Sequence, residues 1–139
     1  MIDLMITDDH EMVRSAIRQF LSVQPNIRIV AEAGSGAEML DKLHSAEVNL
    51  LMMDLQMPGI CGAELIQCVK RAYPSLPILV LSAHNSTSTV VEVLKAGAAG
   101  FVSKNCLPAV LVDALHTVKT KGRYLEPGMG SHWAAIDAR

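Results

Sequence analysis

The sequence predicts an α/β fold built on one parallel sheet, doubly wound, with helices on both faces. Three observations predict it. Strand-like apolar runs alternate five times with segments of helical period. Three of those runs, around Leu4, Leu50 and Ile78, are almost continuously apolar, as strands covered on both sides must be. Acidic and polar residues then gather just after the ends of the runs, where ligands bind in such sheets.

The first run is Ile2 to Thr7. A helix follows from about Glu11 to Val23, with Met12, Val13, Ala16, Ile17, Phe20 and Leu21 at helical spacing and Arg14, Arg18 and Gln19 opposite. The second strand, Ile27 to Ala31, leads into Ser35-Gly36-Ala37-Glu38. There the serine and the glutamate three residues on form a capping box for a helix that buries Met39, Leu40 and Leu43. Asn49 to Met53 is the third strand, and Ala63 to Tyr73 the third helix, facing inward through Leu65, Ile66 and Val69. Pro77 to Leu81 is the fourth strand. The fourth helix, from about Ser86 to Ala96, stops at Gly97 as helices commonly do. Ala99 to Ser103 is a short fifth strand. Pro108 suits the first turn of a last helix, which buries Leu111, Ala114, Leu115 and Val118 and ends at Lys121-Gly122. Arg28 in the second strand and Gly100 in the fifth mark both as sheet edges. The order is therefore 2-1-3-4-5, the flavodoxin-like winding of a five-stranded sheet.

The 139 residues suffice for one domain, expected over 1–121, and a linker or C-terminal tail over 122–139. Half of them are apolar, but only 4% are aromatic and eight are Met, so the core is expected to be aliphatic. Twelve basic against fourteen acidic residues leave a net charge of -2, with no basic surplus to meet nucleic-acid phosphates. Met1-Ile2-Asp3 carries an acid where a secretion signal needs basic residues. No apolar run approaches a membrane span, so a cytoplasmic protein is expected. Cys61, Cys68 and Cys106 form no C-x-x-C pair and leave one over, which argues against a disulfide framework.

Charge collects where this winding binds ligands. The first strand ends in Asp8-Asp9 and the third in Asp54, while the fourth ends in Ser82-Ala83 and the fifth in Ser103-Lys104. Crowded carboxylates repel one another unless a cation joins them, and an all-oxygen set favours a hard ion, Mg²⁺. The ion also offsets the repulsion between an anionic nucleophile and an incoming phosphoryl group. A carboxylate can attack phosphorus to give an acyl phosphate. Lys104 and Ser82 supply a cation and a hydroxyl for phosphoryl oxygens. Singly, an Asp after a strand is commonly a helix cap, and a Ser or Lys there a loop residue. Five suitable residues at the ends of four strands are not expected by chance.

The stretches "DDHEMVRSAIRQFL", "MDLQMPGICGAELI", "LSA" and "GFVSK" resemble the receiver domain of two-component response regulators, over residues 1 to about 125. The DDH opening, Val13, Arg14 and the ending Gly122-Arg123-Tyr124-Leu125 resemble the NarL/FixJ subfamily, whose output domain is of the LuxR type. The resemblance implies that Asp54 is the phosphoacceptor, supplied by a sensor histidine kinase. It implies Asp9 as the more direct Mg²⁺ ligand, Asp8 acting partly through water, and the backbone carbonyl of Gln56 as the third protein ligand. Lys104 becomes the phosphate-binding lysine and Ser82 the hydroxyl that shifts toward the phosphoryl group. Phe101 is then the aromatic that moves inward, switching the face formed by the fourth helix, fifth strand and fifth helix. Pro58, Gly59 and Gly62 shape the loop beneath the site. Two features depart from the family. Asn105-Cys106-Leu107 follows the lysine, and Leu107 is a poor cap for the last helix. His84 follows Ser82 by two residues, near the water path to an acyl phosphate whose lifetime it could tune, although an exposed loop histidine is the reading the sequence favours. His10 reads as a helix-start residue rather than a ligand, for want of a second histidine at metal spacing.

The NarL/FixJ resemblance implies a DNA-binding helix-turn-helix output domain, and the segment after Lys121 is too short to hold one. DNA is therefore expected to be reached only through a domain absent from this chain; the alternative is a stand-alone receiver working through protein contacts. Trp133 and Ile136 stand in that segment as docking candidates, although an unstructured end is the reading the sequence favours. Homodimerisation on phosphorylation is expected through the last helix, where Val110 and Val112 flank the buried stripe as exposed residues. An Mg²⁺-dependent phosphatase with an aspartyl nucleophile would need Asp-x-Asp after the first strand, and Asp8-Asp9-His10 breaks that pattern. A flavin module would need a Ser/Thr/Gly-rich loop there instead of acids. No enzyme turning over an external substrate is expected.

Overall fold

A computed structural model describes residues 1–83 and 86–125, so His84, Trp133 and Ile136 lie outside the described residues. The chain runs β1 (Ile2–Thr7), α1 (Glu11–Leu21), β2 (Ile27–Ala33), α2 (Gly36–Leu43), β3 (Leu50–Met53), α3 (Gly62–Ala72), β4 (Ile78–Ser82), α4 (Thr87–Ala96), β5 (Gly100–Ser103), α5 (Pro108–Lys121) and β6 (Tyr124–Leu125). The strands form one parallel sheet in the order β2-β1-β3-β4-β5-β6.

The apolar runs are continuous because alternate residues enter two separate cores. Met5, Leu51, Met53, Ile78, Val80 and Phe101 point to one face, where α2, α3 and α4 bring Met39, Leu43, Leu65, Ile66, Val69, Val90, Val93 and Leu94. Leu4, Ile6, Leu50, Met52, Leu79, Leu81 and Val102 point to the other, against Ile17 and Leu21 of α1 and Leu111, Ala114, Leu115 and Val118 of α5. Period-two alternation is thus present but hidden, since both faces are covered.

The expected five strands become six. After Gly122, whose φ of 85° turns the chain back, Tyr124 and Leu125 pair with Gly100 and Phe101 of β5. The Tyr124 amide donates to the Ala99 carbonyl at 3.0 Å. The expected edge strand β5 is therefore an inner strand along its first half. Two residues are too few to show periodicity, which is why this pairing left no pattern to read.

The Ser35 cap forms as expected, its Oγ accepting from the Glu38 amide at 3.2 Å. Glu38 reaches one residue farther back than a standard capping box and accepts from the Gly34 amide at 2.6 Å. That backbone bond, then the Lys42 ammonium 3.1 Å away, hold the Glu38 carboxyl below its ordinary pKa. Leu107 occupies the cap of α5 without a side-chain bond and is 70% exposed, in line with the poor cap expected there. Val110 and Val112, expected exposed, are half-buried, and Val112 packs on the core between α5 and the sheet. Among the described residues no helix is long and apolar enough to cross a membrane.

Candidate functional site

The ends of the strands are stitched together by the residues that carry the charge. The Asp8 amide donates to the Ala33 carbonyl of β2 at 3.0 Å, and the Asp54 amide to the Thr7 carbonyl of β1 at 2.9 Å. On the other side the Lys104 amide donates to the Ser82 carbonyl of β4 at 3.0 Å. Each polar side chain thus leaves a backbone already fixed by a neighbouring strand, and fixed donors and acceptors need little reorganisation when a charge arrives.

Lys104 joins the two halves. Its Nζ lies 3.0 Å from Asp8 Oδ2 and 3.0 Å from Asp54 Oδ2. Both carboxylates are buried, while Asp9 lies exposed at the rim. Partial burial by itself lowers the Lys104 pKa, but the hydrogen bonds to Asp54 and Asp8 outweigh it and raise the value above the ordinary lysine range. Ser82 is fully buried at the end of β4, in register with Ser103.

Asp8, Asp9, His10 and Asp54 each offer a ligand atom, and these atoms all lie within 4.8 Å of one another. The donor set fits a divalent cation, with three carboxylates converging and two of them buried. Asp8 divides its work: Oδ2 faces Lys104, while Oδ1 accepts from the His10 amide at 2.8 Å. The His10 ring Nδ1 lies 3.2 Å from that same oxygen and 3.1 Å from Asp9 Oδ1.

The structure brings together Asp8, Asp9, Asp54 and Lys104, with Ser82 tied to Lys104 through the backbone. Gln56 follows Asp54 by two residues, its side chain exposed. Phe101 stands three residues before Lys104, fully buried in the core beside α3 and α4, so the ring is already inside in the state described. Two residues near the site escaped the sequence reading. Arg14, read as part of the polar face of α1, donates to the Asp8 carbonyl and also approaches Glu32 at 3.5 Å, tying α1 and β2 to the acidic loop. His10, read as a helix-start residue, is that, but its ring turns toward the acids. Its adjacency to Asp9 was the available signal. A hollow of about 840 Å³ opens at the opposite end of the sheet, around Lys70, Tyr73 and Gly97. Among the described residues no acid lines it, and it lies at the wrong end of the strands for this chemistry.

Residues 4–116 match the family described as the response regulator receiver domain. The chain is 42% identical over 135 residues to the transcriptional regulatory protein UhpA of Salmonella typhimurium, covering 97% of this chain and 67% of that protein. Among solved structures, the isolated REC domain of RcsB from Salmonella enterica serovar Typhimurium, with the phosphomimetic BeF3-, aligns with a TM-score of 0.86 at 30% identity. That alignment covers 94% of this chain and 97% of that one. A structure of two RcsB dimers bound to two parallel DNAs aligns with a TM-score of 0.87 at 28% identity, over 96% of this chain and 68% of that one. The chain spans about two thirds of the length of the curated relatives it matches. Sequence relatives and solved structures agree: this chain belongs to the response regulator receiver domain family of two-component systems, in its NarL/FixJ branch.

Proposed function

We propose that Asp54 accepts a phosphoryl group from a phosphohistidine of a sensor histidine kinase, in a reaction that requires Mg²⁺. The observation that carries this reading is the buried Asp54 carboxylate held 3.0 Å from the Lys104 ammonium, with Asp8 and Asp9 converging beside it. One Asp54 oxygen attacks phosphorus, the bond from phosphorus to the kinase imidazole breaks, and its electron pair stays on that nitrogen. Lys104 follows the charge from the carboxylate to a phosphoryl oxygen, and the Ser82 hydroxyl donates to another. Asp9, Asp8, Asp54 and the Gln56 carbonyl would hold the ion. When bound, Mg²⁺ offsets the repulsion between the two anions. The reaction modifies the protein itself, and no external substrate is turned over.

The backbone bond between Lys104 and Ser82 makes the ends of β4 and β5 move as one unit. A phosphoryl charge that draws both side chains inward therefore strains the core around Phe101 and biases the α4-β5-α5 face between two packings. That face would control a DNA-binding output domain joined to the receiver (residues 1–121) through the 122–139 segment, whose β6 pairs with the receiver sheet, in a cytoplasmic regulator that dimerises on phosphorylation. UhpA is a transcriptional regulatory protein and the RcsB structure pairs dimers with DNA, which supports this reading over that of a stand-alone receiver. It is tested by intact mass after incubation with acetyl phosphate and Mg²⁺. The expected result is one added phosphoryl mass, lost in Asp54→Asn and in EDTA. Folded protein that gains no mass would show a receiver working by binding alone.

A further inference from the structure

We propose that His10 is a nitrogen ligand of the divalent ion, so that this pocket prefers borderline first-row transition ions over Mg²⁺. The inference rests on reading the acidic pocket as a cation site and adds a donor to it.

The helix geometry gives the first argument. His10 is the N-cap of α1, with extended backbone angles (φ -99°, ψ 109°), yet its side chain makes no cap bond. Capping is what a side chain at this position ordinarily does. The ring instead turns over the acids, with Nδ1 at 3.2 Å from Asp8 Oδ1 and 3.1 Å from Asp9 Oδ1. Those separations give the second argument. In an octahedral site with ligands at about 2.1 Å, neighbouring ligand atoms sit about 3.0 Å apart. Nδ1 therefore stands from Asp8 Oδ1 and from Asp9 Oδ1 at the spacing of adjacent ligands, inside a set of donor atoms that all lie within 4.8 Å of one another. The third argument is placement. The ring is 65% exposed at the mouth of the pocket, so its nitrogen stands where Mg²⁺ would otherwise keep a water.

Chemistry then sets the preference. Carboxylates suit Mg²⁺, Ca²⁺ and Mn²⁺ alike, whereas a neutral imidazole adds affinity for Mn²⁺, Co²⁺, Ni²⁺ and Zn²⁺ but little for Mg²⁺. Lys104 engages the other oxygen of Asp8 and the near oxygen of Asp54, so it does not compete for this side of the pocket.

The test uses Mn²⁺ as the probe with the full chain and its His10→Gln variant, at one mildly alkaline pH. Electron spin-echo envelope modulation on bound Mn²⁺ is expected to carry a directly coordinated ¹⁴N signal in the parent and none in the variant. Competition titrations are expected to show the Ni²⁺-over-Mg²⁺ preference falling by about tenfold or more in the variant. Because the ring is mostly exposed, His10→Ala serves as a second variant that keeps the fold. Bound Mn²⁺ without a nitrogen signal would overturn the proposal and leave the acidic site standing. No Mn²⁺ binding in folded protein would overturn both. A nitrogen signal that survives in His10→Gln and His10→Ala would assign it to another residue and overturn the proposal alone.

Discussion

Lys104→Met removes a cation while keeping most of its stem, so it measures what the charge does between two buried acids. At 3.0 Å, each carboxylate attracts the ammonium by about 5–6 kcal/mol at an effective dielectric of about 20. Desolvation of the three ions offsets most of that sum, at several kcal/mol each. The substitution leaves Asp8 and Asp54, with side chains 3% and 5% exposed, crowded and without a counter-charge. Breaking a buried pair in this way costs about 3–5 kcal/mol. Lys104 keeps 20% of its side chain in water, which selects the lower end, about 3 kcal/mol. Met keeps an apolar stem at the hollow that Lys104 lines together with Leu81, Cys106, Pro108 and Leu111. For a domain of this size the loss corresponds to a Tm fall of about 10 °C. Urea titrations of both proteins, in EDTA and again in Mg²⁺, provide the measurement. The gap is expected to be full in EDTA and narrower in Mg²⁺, because a bound ion supplies the charge that the substitution removes. A Lys104→Met protein at least as stable as the parent in EDTA would refute the electrostatic reasoning. The pH dependence has a definite sign. The folded pKa is raised, so the contribution of the cation is whole below the ordinary lysine value of about 10.4 and disappears as pH climbs through the folded value. The gap between the two proteins is therefore flat through neutral pH and closes only in strong alkali.

Gly36→Ala sets helix propensity, a gain of about 1 kcal/mol, against a Cβ only 2.6 Å from the Ile60 carbonyl oxygen. Overpacking of about 1–3 kcal/mol is expected to win, and a midpoint that rises in urea would show the loop after Asp54 giving way freely. Phe101→Ala empties a fully buried position and is expected to cost about 3–5 kcal/mol by thermal denaturation. A cost under about 1 kcal/mol would mean the ring is not packed as described. Ser35→Ala removes the α2 cap and is expected to cost about 0.5–1 kcal/mol. The Glu38 carboxyl beside that cap has a lowered pKa, so its small contribution is present above the ordinary glutamate value and fades as pH falls through the folded one.

Much of this could be read from local pattern. Strand runs such as Ile2–Thr7, followed at once by Asp8-Asp9, announce both a buried strand and what it delivers to the end of the sheet. Asp54 after Leu50–Met53 and Lys104 after Gly100–Ser103 follow the same logic, so the placement of the carboxylates and the ammonium is legible in the sequence alone. What pattern does not carry is the rotamer and the two-residue contact. The turn of the His10 ring toward Asp9, the reach of Arg14 to the Asp8 carbonyl, and the extra residue spanned by Glu38 depend on side-chain direction rather than on residue type. Tyr124 and Leu125 pair because Gly122 turns the chain back against β5, a tertiary event below the length at which periodicity appears. Val112 was assigned to solvent because it flanks the α5 stripe, and the sheet reaches it all the same.

β6 gives β5 two kinds of support along its length. The strand is clamped at its foot, where Gly100 and Phe101 are held by β4 on one side and by Tyr124 and Leu125 on the other. The clamp ends three residues short of Lys104, the working tip that meets the two carboxylates. Among the strands, Val102, Ser103 and the Lys104 amide are held by β4 alone, so a force applied at the tip passes to β4 before it reaches the doubly held foot. The same clamp holds Tyr124 and Leu125, so the charged end of β5 and the short strand after α5 are linked through one pair of residues, Gly100 and Phe101.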